Sequence, residues 1–212
     1  MLRYERPLIG VAICLAALAG FVDAIGFLQL GGFFVSFMSG NMTRLGVGLA
    51  TGSGQASIAA GLVLSFIVGA MGATLIAHAT PRWRKPAVLG MVTLLLLAAV
   101  LAHHFASDYA ALLLTAGAMG AENGVFQREG EVSIGLTYMT GTIVRFSQRA
   151  ALAFVGGDRW AWVPHLLLWG SFLAGVLGGA HAYLLFGLNA LWIAIAASTA
   201  LTAALWEIVR HR

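Results

Sequence analysis

Asp23 and Glu122 each interrupt a long apolar run. A charged side chain at the centre of a membrane-spanning helix costs about 2.5–3.5 kcal/mol on insertion scales, so neither acid is a neutral choice of residue. As titratable carboxyls they could line a path for protons or for a polar solute. Alternatively, Arg44 and Arg145 could neutralise them in structural ion pairs, or they could reach out to the interface. One acid and one arginine recur at corresponding places in each half of the chain, which favours the pairs. Close by stand small hydroxyl and amide residues: Ser39, Gly40, Asn41 and Thr43 in the first half, Thr140, Gly141 and Thr142 in the second, with Asn123 beside Glu122. Residues of this kind cap helix N-termini. At membrane depth a helix start also carries partial positive charge that can face an anion or a polar solute. Capping alone is the competing reading. The candidate pathway set is therefore Asp23, Ser39, Asn41, Thr43, Arg44, Glu122, Asn123, Thr140, Thr142 and Arg145.

Other chemistry lacks a constellation. His103 and His104 with Asp108 could suggest a metal, but adjacent helical residues point about 100° apart and no fourth ligand is in sequence reach. His78 and His181 read as core or interface residues. There is no nucleophile elbow, P-loop, zinc motif or dinucleotide fingerprint. The expectation is a protein that is not an enzyme and that uses no cofactor.

The elements that must position these residues follow from composition. Of 212 residues 60% are hydrophobic and 9% charged, against roughly 25% charged in soluble domains. Such a chain cannot solvate a globular surface, which excludes a soluble enzyme, a disordered chain and a disulfide scaffold. Cys14 has no second cysteine to pair with. The net charge of +4 fits cytoplasmic loops rich in Lys and Arg; no basic run interleaved with aromatics points to nucleic acid. A spanning helix needs about 20 apolar residues. Six such runs occur, at Leu8–Leu30, Ile58–Ala79, Ala87–Phe105, Tyr109–Gln127, 164–186 and 188–209, the last two divided at Phe186-Gly187-Leu188-Asn189. Arg3, Arg6 and Ala17-Leu18-Ala19 imitate a secretory signal, but the apolar run continues to Leu30 and reads as an uncleaved first helix.

Two further stretches, 33–50 and 136–155, are apolar yet rich in Gly or Thr and contain arginine. With a cytoplasmic N-terminus and neither stretch spanning, 11 of the 12 basic residues fall inside and only Arg44 outside. If both span, the Arg82–Lys85 turn and Arg128 are forced outside. The stretches are therefore expected to be broken or re-entrant, entering from opposite faces.

The halves also resemble one another. Phe37-Met38-Ser39-Gly40-Asn41-Met42-Thr43-Arg44 aligns with Tyr138-Met139-Thr140-Gly141-Thr142-Ile143-Val144-Arg145 at an offset of 101 residues. Upstream, Asp23-Ala24-Ile25-Gly26-Phe27 resembles Glu122-Asn123-Gly124-Val125-Phe126; downstream, Ser65-Phe66 with Gly69 and Gly72 matches Ser171-Phe172 with Gly175 and Gly178. The expected fold is an all-α membrane bundle over residues 1–212, one domain. Its repeats, about 8–105 and 109–209, each hold three spans and one broken segment and so are inverted in the membrane. Gly20-Phe21-Val22-Asp23-Ala24 with the two aromatic-Met-hydroxyl-Gly blocks resembles the YoaK family of bacterial multi-pass membrane proteins, a family of unknown function. That resemblance implies the bacterial cytoplasmic membrane and brings no substrate. Inverted repeats with discontinuous helices recur in channels and secondary transporters. The leading expectation is a small-solute permease or channel; the alternative is a non-transporting structural or regulatory membrane protein. Expected partners are the lipid bilayer and a small polar or anionic solute, with no nucleic acid; a homo-oligomer is compatible with the sequence.

Overall fold

The computed structural model describes residues 6–128, 131–132 and 135–211. Arg3 and Arg212, which enter the charge count above, lie outside the described residues. The helices are α1 (Arg6–Gln29), α2 (Met38–Thr51), α3 (Gln55–Ala79), α4 (Arg84–Phe105), α5 (Asp108–Glu122), α6 (Met139–Phe154), α7 (Val163–Phe186) and α8 (Leu191–Arg210). A 3₁₀ turn, Asn123–Phe126, extends α5, and an antiparallel pair of two-residue strands, Gln127–Arg128 and Glu131–Val132, follows.

Four stretches are long and apolar enough to cross a membrane: Leu8–Gln29, Gln55–Ala79, Arg84–Phe105 and Val163–Arg210. The last has 48 residues and as one helix would be about 72 Å long, more than twice the hydrocarbon thickness. It is broken at Gly187, whose φ of +57° favours glycine, and by the 3₁₀ turn Gly187–Ala190, which separates α7 from α8. Large apolar side chains such as Leu64, Val68, Leu75, Leu184 and Leu185 are exposed on the outside of the bundle. In water they would form adhesive patches; in lipid they are solvated. The chain is a helical membrane bundle.

Inside the bundle, α1 packs against α7 and α8, while α5 packs against α3 and α4. The closest approaches are made by glycines, and they occur in matching pairs. A Cβ at Gly20 would strike the Phe172 carbonyl of α7, and one at Gly120 would strike the Phe66 carbonyl of α3. Likewise a Cβ at Gly69 would meet the Gly117 carbonyl of α5, and one at Gly175 the Ala17 carbonyl of α1. Small residues allow this contact of backbone with backbone, on which helix association in lipid depends. Both ends are tied. At one end Tyr183 donates to Gln29 Oε1 at 2.7 Å, Gln29 donates to Asp108 Oδ2 at 2.7 Å, and His103 Nδ1 lies 2.6 Å from Asp108 Oδ1. At the other, Trp83 stacks on Trp206 with ring centroids 4.2 Å apart.

The two odd stretches form half-length helices. The 14 residues of α2 span about 21 Å, and a three-residue turn joins its end to the start of α3, along which it packs. Its first residue therefore lies beside the middle of α3, near Phe66. In the second half, α6, 16 residues and about 24 Å long, packs on α7.

Candidate functional site

The loop before α2 has to descend into the bundle, and its N–H groups need acceptors there because no lipid can supply them. Asp23, buried on α1, meets that need: Val35 N–H and Ser36 N–H donate to its Oδ1 at 2.9 and 2.8 Å. Asn41, fully buried on α2, closes the loop from the other side. Its Oδ1 accepts from Phe34 N–H at 3.0 Å and its Nδ2 donates to the Phe34 carbonyl at 2.6 Å. Ser36 is buried with its hydroxyl unpartnered among the described residues. In the second half Asn123 does the corresponding work, accepting from the Thr137 hydroxyl at 3.2 Å while donating to the Met119 carbonyl at 3.0 Å.

The expected ion pairs do not form. Arg44 is half-buried and lies over the Phe33 ring, 4.9 Å from its centroid. Arg145 is exposed on α6. Among the described residues neither arginine is bridged to Asp23 or Glu122. Glu122 is 0% exposed, and both its carboxyl oxygens lack a hydrogen-bond partner among the described residues. The glycine contacts match Asp23 with Asn123, not with Glu122 as the upstream blocks had suggested. Gly20 and Gly120 make the same contact, and three residues further along each helix stand Asp23 and Asn123. Glu122 is the additional acid.

The starts of α2 and α6 meet at one cavity of about 330 Å³. Ser36, Phe37, Met38 and Ser39 line it from one half, and Thr137, Tyr138, Met139, Thr140 and Gly141 from the other, with Phe66 of α3 closing one side. Neither helix start has a side-chain cap. Met38, Gly40 and Met139 N–H donate to the carbonyls of Ser36, Phe37 and Thr137, but the positive end of each helix dipole points toward the same space, and no acidic residue is in the lining. Of the residues singled out from sequence, Ser39 and Thr140 line the cavity. Asn41 and Thr142 do not: both are buried, and the Thr142 hydroxyl donates to the Tyr138 carbonyl at 3.1 Å. Thr43 is exposed and donates to the Ser39 carbonyl at 3.2 Å. Sequence reasoning passed over Ser36 and Thr137. Extending the aligned blocks one residue upstream, to Ser36-Phe37-Met38-Ser39-Gly40 and Thr137-Tyr138-Met139-Thr140-Gly141, would have found them.

Fold and site together define a polytopic helical membrane protein with two half-length helices beginning at one half-open cavity. The family model described as "Protein of unknown function (DUF1275)" matches residues 11–204. The chain is 35% identical over 227 residues to the "UPF0700 transmembrane protein RA0705" of Rhizobium meliloti (strain 1021), the match covering 100% of this chain and 92% of that protein. This chain belongs to the DUF1275 family of membrane proteins, as the paired motif blocks indicated. No solved structure matches it.

Proposed function

We propose that the protein is a small-solute permease or channel of the bacterial cytoplasmic membrane, with its site in the cavity between the starts of α2 and α6. In this reading six helices span, α5 with its 3₁₀ extension being the short one, and the halves form a 3+3 inverted repeat. Both termini and the Arg82–Lys85 turn are cytoplasmic; the His103–Asp108 end faces out. The matched glycine contacts support the repeat, and the distribution of Arg and Lys supports the orientation. The solute is small, since about 330 Å³ is at the low end of small-molecule pockets, which run from about 300 to 1,000 Å³. Hydroxyls with two positive helix ends favour a polar neutral molecule or an anion, and the same ends repel cations. No catalytic step is part of the reading.

The observation that carries it is the convergence of both uncapped helix starts on one cavity beside the middle of α3. Proteoliposomes tested by stopped-flow light scattering against small polyols, amides and monovalent anions check it. At least one solute is expected to cross faster than in protein-free vesicles. Ser39→Leu with Thr140→Leu, which fills the cavity, is expected to return that rate to the protein-free background. A panel in which nothing crosses faster, or a flux indifferent to the double leucine, would favour the non-transporting bundle.

A further inference from the structure

At the opposite end of α4 from Asp108, cations and an apolar groove adjoin. Arg82, Arg84 and Lys85 with Pro81 and Val209 line a polar cavity of about 290 Å³. Arg82 lies over the Trp83 ring, 5.4 Å from its centroid, and Trp83 in turn stacks on Trp206. One helical turn further along, between α4 and α8, begins a groove of about 770 Å³ lined by Ala87, Gly90, Met91, Leu94, Ala203 and Trp206, among others. Its threonines are self-satisfied: Thr93, Thr199 and Thr202 donate to the carbonyls of Leu89, Ile195 and Ser198 on their own helices. Glu207, the acid at the mouth, is engaged by His211 at 3.4 Å and Arg210 at 4.0 Å. Arg82 and Arg84 have no acidic partner among the described residues.

We infer that this groove holds an anionic phospholipid, its phosphate at Arg82 and Arg84 and an acyl chain along the α4–α8 groove. Charge complementarity carries the assignment. Basic pockets between spanning helices recognise anionic headgroups, and here the cations stand at the mouth of an apolar channel extending about 10 Å from Ala87 to Leu94. A second apolar groove, about 510 Å³ between α1, α7 and α8, has no charged residue in its lining and should take lipid without regard to headgroup. The lipid site is independent of whether a solute crosses the protein.

Native mass spectrometry of the purified protein, titrated with palmitoyl-oleoyl phosphatidylglycerol or the matching phosphatidylcholine, tests it. The wild-type chain is expected to retain phosphatidylglycerol preferentially. Each cation near a lipid surface contributes about fivefold in affinity, so Arg82→Gln with Arg84→Gln should reduce the preference by about thirtyfold. At Gly90 an added Cβ meets nothing within 4 Å. Gly90→Leu should therefore occupy the groove and displace the lipid while the thermal midpoint in lipid-free detergent stays level. Equal retention of both lipids, or a preference untouched by the double glutamine, would overturn the assignment. So would a dimer that Gly90→Leu dissociates, because the groove would then be a contact between copies of the chain.

Discussion

Asp23→Ala should cost about 2–6 kcal/mol of stability, because it strands two buried N–H groups at about 1–3 kcal/mol each. The donors are those of Val35 and Ser36, both bound to one carboxylate oxygen, at a depth where water is not free to replace it. A loss of this size in a marginally stable protein removes most of the folded material, and size-exclusion chromatography with a thermal melt in detergent reads it directly. Asp23→Asn retains an oxygen in the same position and should lose less than half as much. Arg44→Gln should rescue neither variant, since Arg44 rests on Phe33 and forms no bridge to Asp23. Recovery in the Asp23→Asn, Arg44→Gln double variant would show that the two charges do meet.

Gly69→Ala and Gly175→Ala should each cost about 3 kcal/mol, the upper end of ordinary overpacking. The added methyl meets a backbone carbonyl on the facing helix, Gly117 in one case and Ala17 in the other. A backbone carbonyl cannot rotate away as a side chain can, so the helices must separate and surrender contacts along their length. Gly46→Ala and Gly170→Ala supply the control, because nothing lies within 4 Å of the new methyl at either position. They should be neutral or raise the melting temperature slightly through helix propensity. The two damaging variants should behave alike in thermal melts. Damage confined to one of them would show that the matched contacts are not energetically equivalent.

Most of the apolar runs were legible because membrane partitioning sums over many residues, so errors at single positions average out. The run expected at Tyr109–Gln127 is the exception, its helix α5 stopping at Glu122 and not among the stretches long enough to cross. The run expected at Leu8–Leu30 is α1, Arg6–Gln29, and the divide expected at Gly187 is the break between α7 and α8. The half-helices were legible too: stretches 33–50 and 136–155 contain α2 and α6, which start at Met38 and Met139 inside the hydroxyl-glycine blocks. The partners of the polar residues were less accessible. Complementary charge at Asp23 and Arg44 suggested a pair, yet the nearer claim on the carboxylate comes from backbone N–H groups, which every residue type shares and no letter of the sequence marks. The correspondence of Glu122 with Asp23 failed for a related reason. Chemical similarity of two acids outweighed helical register, and register is set by glycine contacts that require both helices to be seen. Asn41, which the sequence left open between facing a solute and capping alone, is occupied twice by Phe34. The short strands at Gln127–Arg128 and Glu131–Val132 had no expectation attached.

Whether the space between α2 and α6 is wet can be measured with Ser39→Cys and Thr140→Cys, each in a Cys14→Ala background, in sealed vesicles treated with a charged, membrane-impermeant thiol reagent. Both positions line the same cavity of about 330 Å³. Both cysteines should therefore react with the aqueous reagent despite their depth, and in the double cysteine variant a bulky adduct on one should protect the other. Cysteines that react only with a lipid-soluble maleimide, and never with the charged reagent, would contradict a solute pathway at this site.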